Sequence, residues 1–135
     1  MTIAEAKAAQ RRFGRDARSA IPAGERAAAA AALCANLWQL DAVRRARTIL
    51  LYAAFGAEAD LSGFAAQAAR QGCVLAYPVC GEDFSMEVFV PGPQGWETGL
   101  YGIRTPVPER STLLQAEQLD LVLVPCTAFD ADCYR

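Results

Sequence analysis

The sequence predicts an α/β fold, a three-layer α/β/α sandwich built on a mostly parallel, Rossmann-like sheet. Three observations carry this reading. Thr48–Tyr52, Cys73–Tyr77 and Leu121–Val124 are short, continuous apolar runs, the mark of strands covered on both faces. Helical patterns precede and separate them. Strands alternating with helices imply right-handed crossovers and a parallel sheet with helices on its faces.

The elements follow in chain order. Thr2-x-x-Glu5 is a capping-box pattern, each side chain serving a free N–H of the first helical turn. Ile3, Ala6, Ala9, Phe13, Ala17 and Ala20 then form a narrow apolar stripe that predicts the buried face of the first helix. A second helix opens at Pro22 and runs through the alanines, with Leu33 and Leu37 inward and Asp41 capping a short third turn. After the first strand, Asp60 caps a helix carrying Leu61, Phe64 and Ala68 inward, and Gly72 ends it. The second strand closes at Pro78. Phe84, Met86, Val88 and Val90 alternate with other residues, as in an antiparallel or edge strand. Residues 91–108 read as loop with one short strand, and Leu113–Leu119 as a short helix. Leu121–Val124 is the most apolar strand, expected at the sheet centre.

At 135 residues the chain reads as a single α/β domain over 1–135. Thirteen basic and 15 acidic side chains leave a net charge of −2, so no global field favours nucleic acid or a membrane. No run approaches the roughly 20 apolar residues of a membrane span. The first residues lack the pattern of a secretory signal. Five cysteines in an odd, unpaired arrangement read as reduced thiols, which places the protein in the cytoplasm. Their spacing is too loose for a four-cysteine zinc site. There is no histidine, which excludes Ser-His-Asp and Cys-His catalysis and every histidine-based metal site within this chain.

In such sheets ligands bind beyond the carboxyl ends of the strands. Lys7, Arg11, Arg15 and Arg18 share one face of the first helix, either as a solvated face or as a cradle for a polyphosphate. Glu58, in the loop leaving the first strand, is either an ordinary loop acid or an acceptor for a ring amide or amino group. Asp120 stands at the amino end of its strand and reads as structural. Asp130 and Arg135 follow the last strand at the ligand edge and suggest metal or phosphate contact. Tyr52, Tyr77, Met86, Phe89 and Trp96 read as core, although those at strand ends can wall an aromatic pocket.

Lys7-x-x-x-Arg11, Tyr52 leading to Glu58 and Asp60, Gly72 through Pro78, Met86-x-Val88, Gly102-Ile103-x-x-Pro106, Asp120 through Pro125, and Ala128-Phe129-Asp130 with Arg135 occur in this order. Together they resemble the 5-formyltetrahydrofolate cyclo-ligase (methenyltetrahydrofolate synthetase) family. One departure is Thr105, where the family has an acid. The other is a C-terminal glycine-rich segment of the family, beyond the equivalent of Arg135, so the chain reads as the N-terminal portion of a longer cyclo-ligase-like domain.

The resemblance implies ATP-dependent conversion of 5-formyltetrahydrofolate to 5,10-methenyltetrahydrofolate, with ADP and phosphate released and ATP and Mg2+ as cofactors. It places Lys7, Arg11 and Arg135 on the ATP phosphates and Tyr52, Glu58 and Met86 around the folate. The metal would draw at most on Asp130 within this chain. Two alternatives stay open: an ATP-using paralogue acting on another formyl or amide compound, and a non-catalytic nucleotide- or folate-binding remnant. Partners expected are reduced folate and ATP, without nucleic acid or membrane. A bound C-terminal peptide or self-association is expected to cover the sheet face that the last strand leaves exposed.

Overall fold

The computed structural model describes residues 1–135. Its elements are α1 (Ile3–Ala20), α2 (Ala23–Leu37), α3 (Asp41–Arg45), β1 (Thr48–Leu50), α4 (Ser62–Arg70), β2 (Val74–Cys80), β3 (Met86–Pro91), β4 (Trp96–Thr98), β5 (Arg104–Pro106), β6 (Ser111–Leu114) and β7 (Leu121–Val122). Five strands form one sheet in the order β6-β3-β2-β1-β7, and β4 and β5 make a separate hairpin. β1 pairs parallel with β2 and β7, while β3 runs antiparallel to both β2 and β6. Four of the five strands therefore point the same way. The α/β class and mostly parallel sheet expected above are present.

The core lies on one sheet face, where Ile49 and Leu51 meet Val43, Ala46, Cys34, Leu61, Phe64 and Ala68. Trp38 stacks on Phe64 with ring centroids 4.7 Å apart. Burying a side chain the size of Phe64 contributes roughly 1.5–3 kcal/mol, which makes this α2–α4–β1 wedge the anchor of the fold. No polar or charged residue is buried.

Local signals in the sequence act as their chemistry requires. Thr2 Oγ1 accepts the Glu5 N–H at 3.2 Å and Glu5 Oε2 accepts the Thr2 N–H at 2.7 Å, completing the capping box. α4 ends with Gly72 at φ +81°, where the Cys73 N–H donates to Ala68 O and the Gly72 N–H to Ala69 O. Those two bonds are a Schellman closure. Asp60 does not occupy the cap position itself; its carboxylate accepts the Ser62 N–H and hydroxyl at the first residue of α4. Asp120 is structural as expected: its Oδ2 accepts the N–H groups of Arg47 and Thr48, each at 2.9 Å, and so ties the start of β1 to that of β7.

Five expectations are corrected. The apolar stripe of α1 faces solvent, with Ile3 79% and Phe13 76% exposed and no residue of the helix buried. In α2 the inward position belongs to Cys34, while Leu33 is outside. β2 continues through Pro78. Val74 N–H and Ala76 C=O face β1, so the proline nitrogen two residues on faces the region past the last β1 pair, Leu50 with Ala76, and breaks no ladder bond. Of the helix expected over Leu113–Leu119 only a 3-10 turn at Ala116–Gln118 forms, and Ser111–Leu114 is the strand β6, because Thr112 and Leu113 pair with Val90 and Phe89 of β3. Finally, the run 121–124 contributes only two strand residues, at an edge of the sheet, leaving Val122 and Val124 nearly half exposed. Leu121 and Leu123 pack on the core; their apolar neighbours on the other face made the run look central.

No helix is long and apolar enough to cross a membrane.

Candidate functional site: two clefts sharing Glu58

The carboxyl ends of β1 and β7 lie side by side, and the loops leaving them open two clefts. The larger, about 790 Å³, is lined from α1 by Lys7, Gln10, Arg11 and Arg18, from the β1 loop by Glu58, and from the β7 loop by residues 125–130 with Tyr134 and Arg135. Lys7, Arg11, Gly14 and Arg18 recur at steps of three or four residues and so share one helical face. That face, and not the apolar one, meets the rest of the protein. Gly14 sits at its centre: a Cβ added there would collide with the Thr127 carbonyl oxygen, so only glycine lets the helix approach this closely. Four cations meet two carboxylates in this cleft, against a chain whose net charge is negative. Arg18 Nε is shielded from solvent without a hydrogen-bond partner, a donor left free at the cleft wall. Arg15, grouped with these residues by spacing, does not line the cleft.

The second cleft, about 440 Å³, is walled by Tyr52, Tyr77, Trp96 and Arg104, with Glu58 and Asp60 from the β1 loop. Glu58 lines both clefts. One of its oxygens, Oε2, is held by the Phe55 N–H at 2.9 Å, which fixes the carboxylate and leaves its other oxygen for a ligand. Tyr52 donates its hydroxyl to Ala59 O at 2.9 Å and so braces the same loop. Burial, reinforced by the Glu58 charge, pushes the Tyr52 phenol above its usual pKa. Burial likewise raises that of Tyr77, against the opposing pull of Arg104. Both therefore remain protonated donors at neutral pH. Tyr77 meets Trp96 edge to face at 4.6 Å.

Of the residues singled out from the sequence, Lys7, Arg11, Arg135, Asp130 and Glu58 come together in the larger cleft, and Tyr52 and Glu58 in the smaller. Met86 lies at the start of β3, largely exposed, and lines neither. Asp130 Oδ1 accepts the backbone N–H groups of Asp132 and Tyr134, closing a tight turn and leaving one oxygen free. No group of three or more acidic or cysteine side chains is placed so as to hold a metal ion. Sequence reasoning passed over Gln10, Gly14 and Arg104 as site residues and gave Trp96 no role beyond core or pocket wall. Gly14 carried a usable signal, a glycine on the basic face of an otherwise strong helix. Arg104 carried none before the turn at 99–103 was known. Thr105 alternates to the other side of that hairpin from Trp96 and Arg104, opposite Glu97.

Fold and clefts together define an α/β protein with paired clefts at the carboxyl edge of its parallel strands, one cationic and one aromatic. The chain belongs to the 5-formyltetrahydrofolate cyclo-ligase family, whose model matches residues 3–135. Solved structures share the fold, two of them methenyltetrahydrofolate synthetases. The 5,10-methenyltetrahydrofolate synthetase of Aquifex aeolicus superposes with a TM-score of 0.81 at 24% identity, over 96% of this chain and 65% of that one. The corresponding enzyme of Mycoplasma pneumoniae gives 0.72 at 17% identity, over 93% and 67%. The chain thus spans about two thirds of the length of each. Comparison with curated protein sequences finds no match.

Proposed function

We propose that the protein acts in the ATP-dependent conversion of 5-formyltetrahydrofolate to 5,10-methenyltetrahydrofolate. The observation that carries this reading is the pair of clefts that share Glu58, one suited to a polyphosphate and the other to a flat aromatic ring system. Family membership supports the same chemistry.

A formamide carbonyl is a poor electrophile because its nitrogen donates into it. In the proposed reaction the formyl oxygen attacks the γ-phosphorus of ATP, and the bond to the β–γ bridging oxygen breaks to release ADP. The resulting imidate phosphate carries a good leaving group. N10 of the folate then attacks the formyl carbon, loses its proton, and phosphate departs as the ring closes. No step requires a histidine. Lys7, Arg11, Arg18 and Arg135 bind and neutralise phosphate oxygens, Glu58 accepts from the pterin amide or amino group, and Tyr52 and Tyr77 wall the ring. Placing two substrates across one shared carboxylate supplies the orientation such a transfer depends on. Mg2+ would arrive on the nucleotide, and within this chain Asp130 is the acid that would hold it.

The test is turnover followed by the near-ultraviolet absorbance of the methenyl product, alongside Lys7→Ala. One ADP per product is expected, and the variant should raise the KM for ATP about tenfold or more while leaving that for folate nearly unchanged, as loss of a charge-assisted phosphate contact implies. ADP release uncoupled from product, or equal effects of the variant on both substrates, refutes the assignment.

A further inference from the structure

Arg104 stands apart from every other arginine of the chain. Its guanidinium carbon lies over the Trp96 ring, 4.7 Å from the centroid, so the indole shields the cation on one side. Trp96 is itself fixed by Tyr77, 4.6 Å away and edge-on. The hairpin makes this possible. Trp96 pairs with Pro106 and Thr98 with Arg104, so Trp96 and Arg104 are diagonal neighbours on one face. The turn joining the strands is closed by the Gly99 N–H donating to Ile103 O at 2.7 Å, with Tyr101 and Gly102 both at positive φ. The arginine at the end of this stack makes no hydrogen bond and no ion pair; the chain's single salt bridge is Arg44 with Asp41. Its N–H groups therefore remain available at the wall of the aromatic cleft, with the cation held over the indole.

An unpaired guanidinium has the planar donor fork that matches a carboxylate, and the indole beneath it limits where that fork can go. A reduced folate carries its pterin at one end and glutamate carboxylates at the other. With Glu58 serving the pterin where the two clefts join, Trp96 and Arg104 belong to the part of the wall contributed by the hairpin. We propose that Arg104, shelved on Trp96, binds a carboxylate of the glutamyl tail and so selects glutamyl-bearing folates over pteroate-type compounds. This rests on the folate reading of the cleft given above.

The test compares binding of 5-formyltetrahydrofolate with that of 5-formyltetrahydropteroate, which lacks the glutamate, by calorimetry at two salt concentrations. The native protein should prefer the glutamyl ligand about tenfold, the scale of one exposed charge-assisted contact. That preference should shrink with salt. Arg104→Leu should abolish the preference by weakening the glutamyl ligand alone. Arg104→Lys, which keeps charge but loses the fork and the stacked plane, should retain only part of it, and its melting curve guards against misfolding. Equal native affinity for both ligands, or an Arg104→Leu effect equal on both, overturns the proposal while leaving the folate reading intact. Binding of neither ligand overturns the folate reading and this proposal with it.

Discussion

Gly14→Ala isolates the contact that holds the cationic cleft together. A methyl group at this position would fall far inside contact distance of the Thr127 carbonyl oxygen and 3.1 Å from its carbon, and both atoms are backbone, unable to rotate aside. Ordinary contact between such atoms needs well over 3 Å, so α1 must retreat by about 1 Å. Elsewhere in the chain the same change should help: alanine exceeds glycine in helix propensity by about 0.8–1.0 kcal/mol. Gly24, near the start of α2, is the matching control, since a methyl added there would meet nothing within 4 Å. Because α1 buries no residue, its retreat exposes little, and the melting temperature of Gly14→Ala should equal or slightly exceed that of the native protein. Binding should respond in the opposite direction. Lys7, Arg11 and Arg18 would move away from Arg135 together, and misplacement by about 1 Å can cost a hundredfold in a positioned site. Calorimetric titration with ATP, run beside thermal melts of both glycine variants, measures the two effects separately. ATP affinity unchanged in Gly14→Ala, with α1 intact by circular dichroism, would refute the claim that this approach sets the cleft.

Two further outcomes follow from single side chains. Glu58→Gln should weaken 5-formyltetrahydrofolate by about tenfold while changing ATP affinity little, because the side chain that would accept from the pterin loses its charge; calorimetry showing ATP lost and folate kept would reverse the two subsites. Asp120→Ala should lower stability near neutral pH, since the Arg47 and Thr48 N–H groups hold that carboxylate below its usual pKa. A depressed folded pKa means the stabilisation is present above the unfolded value of about 3.9 and is lost as pH falls through the folded one. Native and variant melting temperatures should therefore converge in acid, and a gap that stays constant down to the most acidic pH that still permits folding would count against the linkage.

Much of the fold was legible because its signals are local. The capping box at Thr2 and Glu5, the Gly72 closure and the apolar strands at 48 and 74 depend on neighbours within a few residues. What misled was neighbourhood at long range. Leu121–Val124 is apolar on both sides, yet only Leu121 and Leu123 find the core, and no periodicity distinguishes an edge strand from a central one in so short a run. Ser111–Leu114 becomes strand because β3 offers a partner, a fact outside its own composition. The site divided in the same way. Lys7, Arg11 and Glu58 could be proposed from spacing and loop position, whereas Arg104 acquires its character only when a hairpin brings it over Trp96.

The first helix shows how amphipathic pattern and burial can part company at the wall of a cleft. A stripe of Ile3, Phe13 and alanines normally turns toward the core, since burial of apolar area is the main source of tertiary stability. Here the opposite side makes the approach, through a glycine and a row of cations, and Ile3 and Phe13 stay in solvent. Nothing in α1 itself requires burial: its capping box satisfies the first turn and its alanines favour the helix. Like charges gathered along one cleft repel one another, and Glu58 and Asp130 offset only part of that repulsion among four cations. At the edge where parallel strands of this class bind ligands, such a row of cations suits the phosphate role proposed for it better than a part in holding the fold.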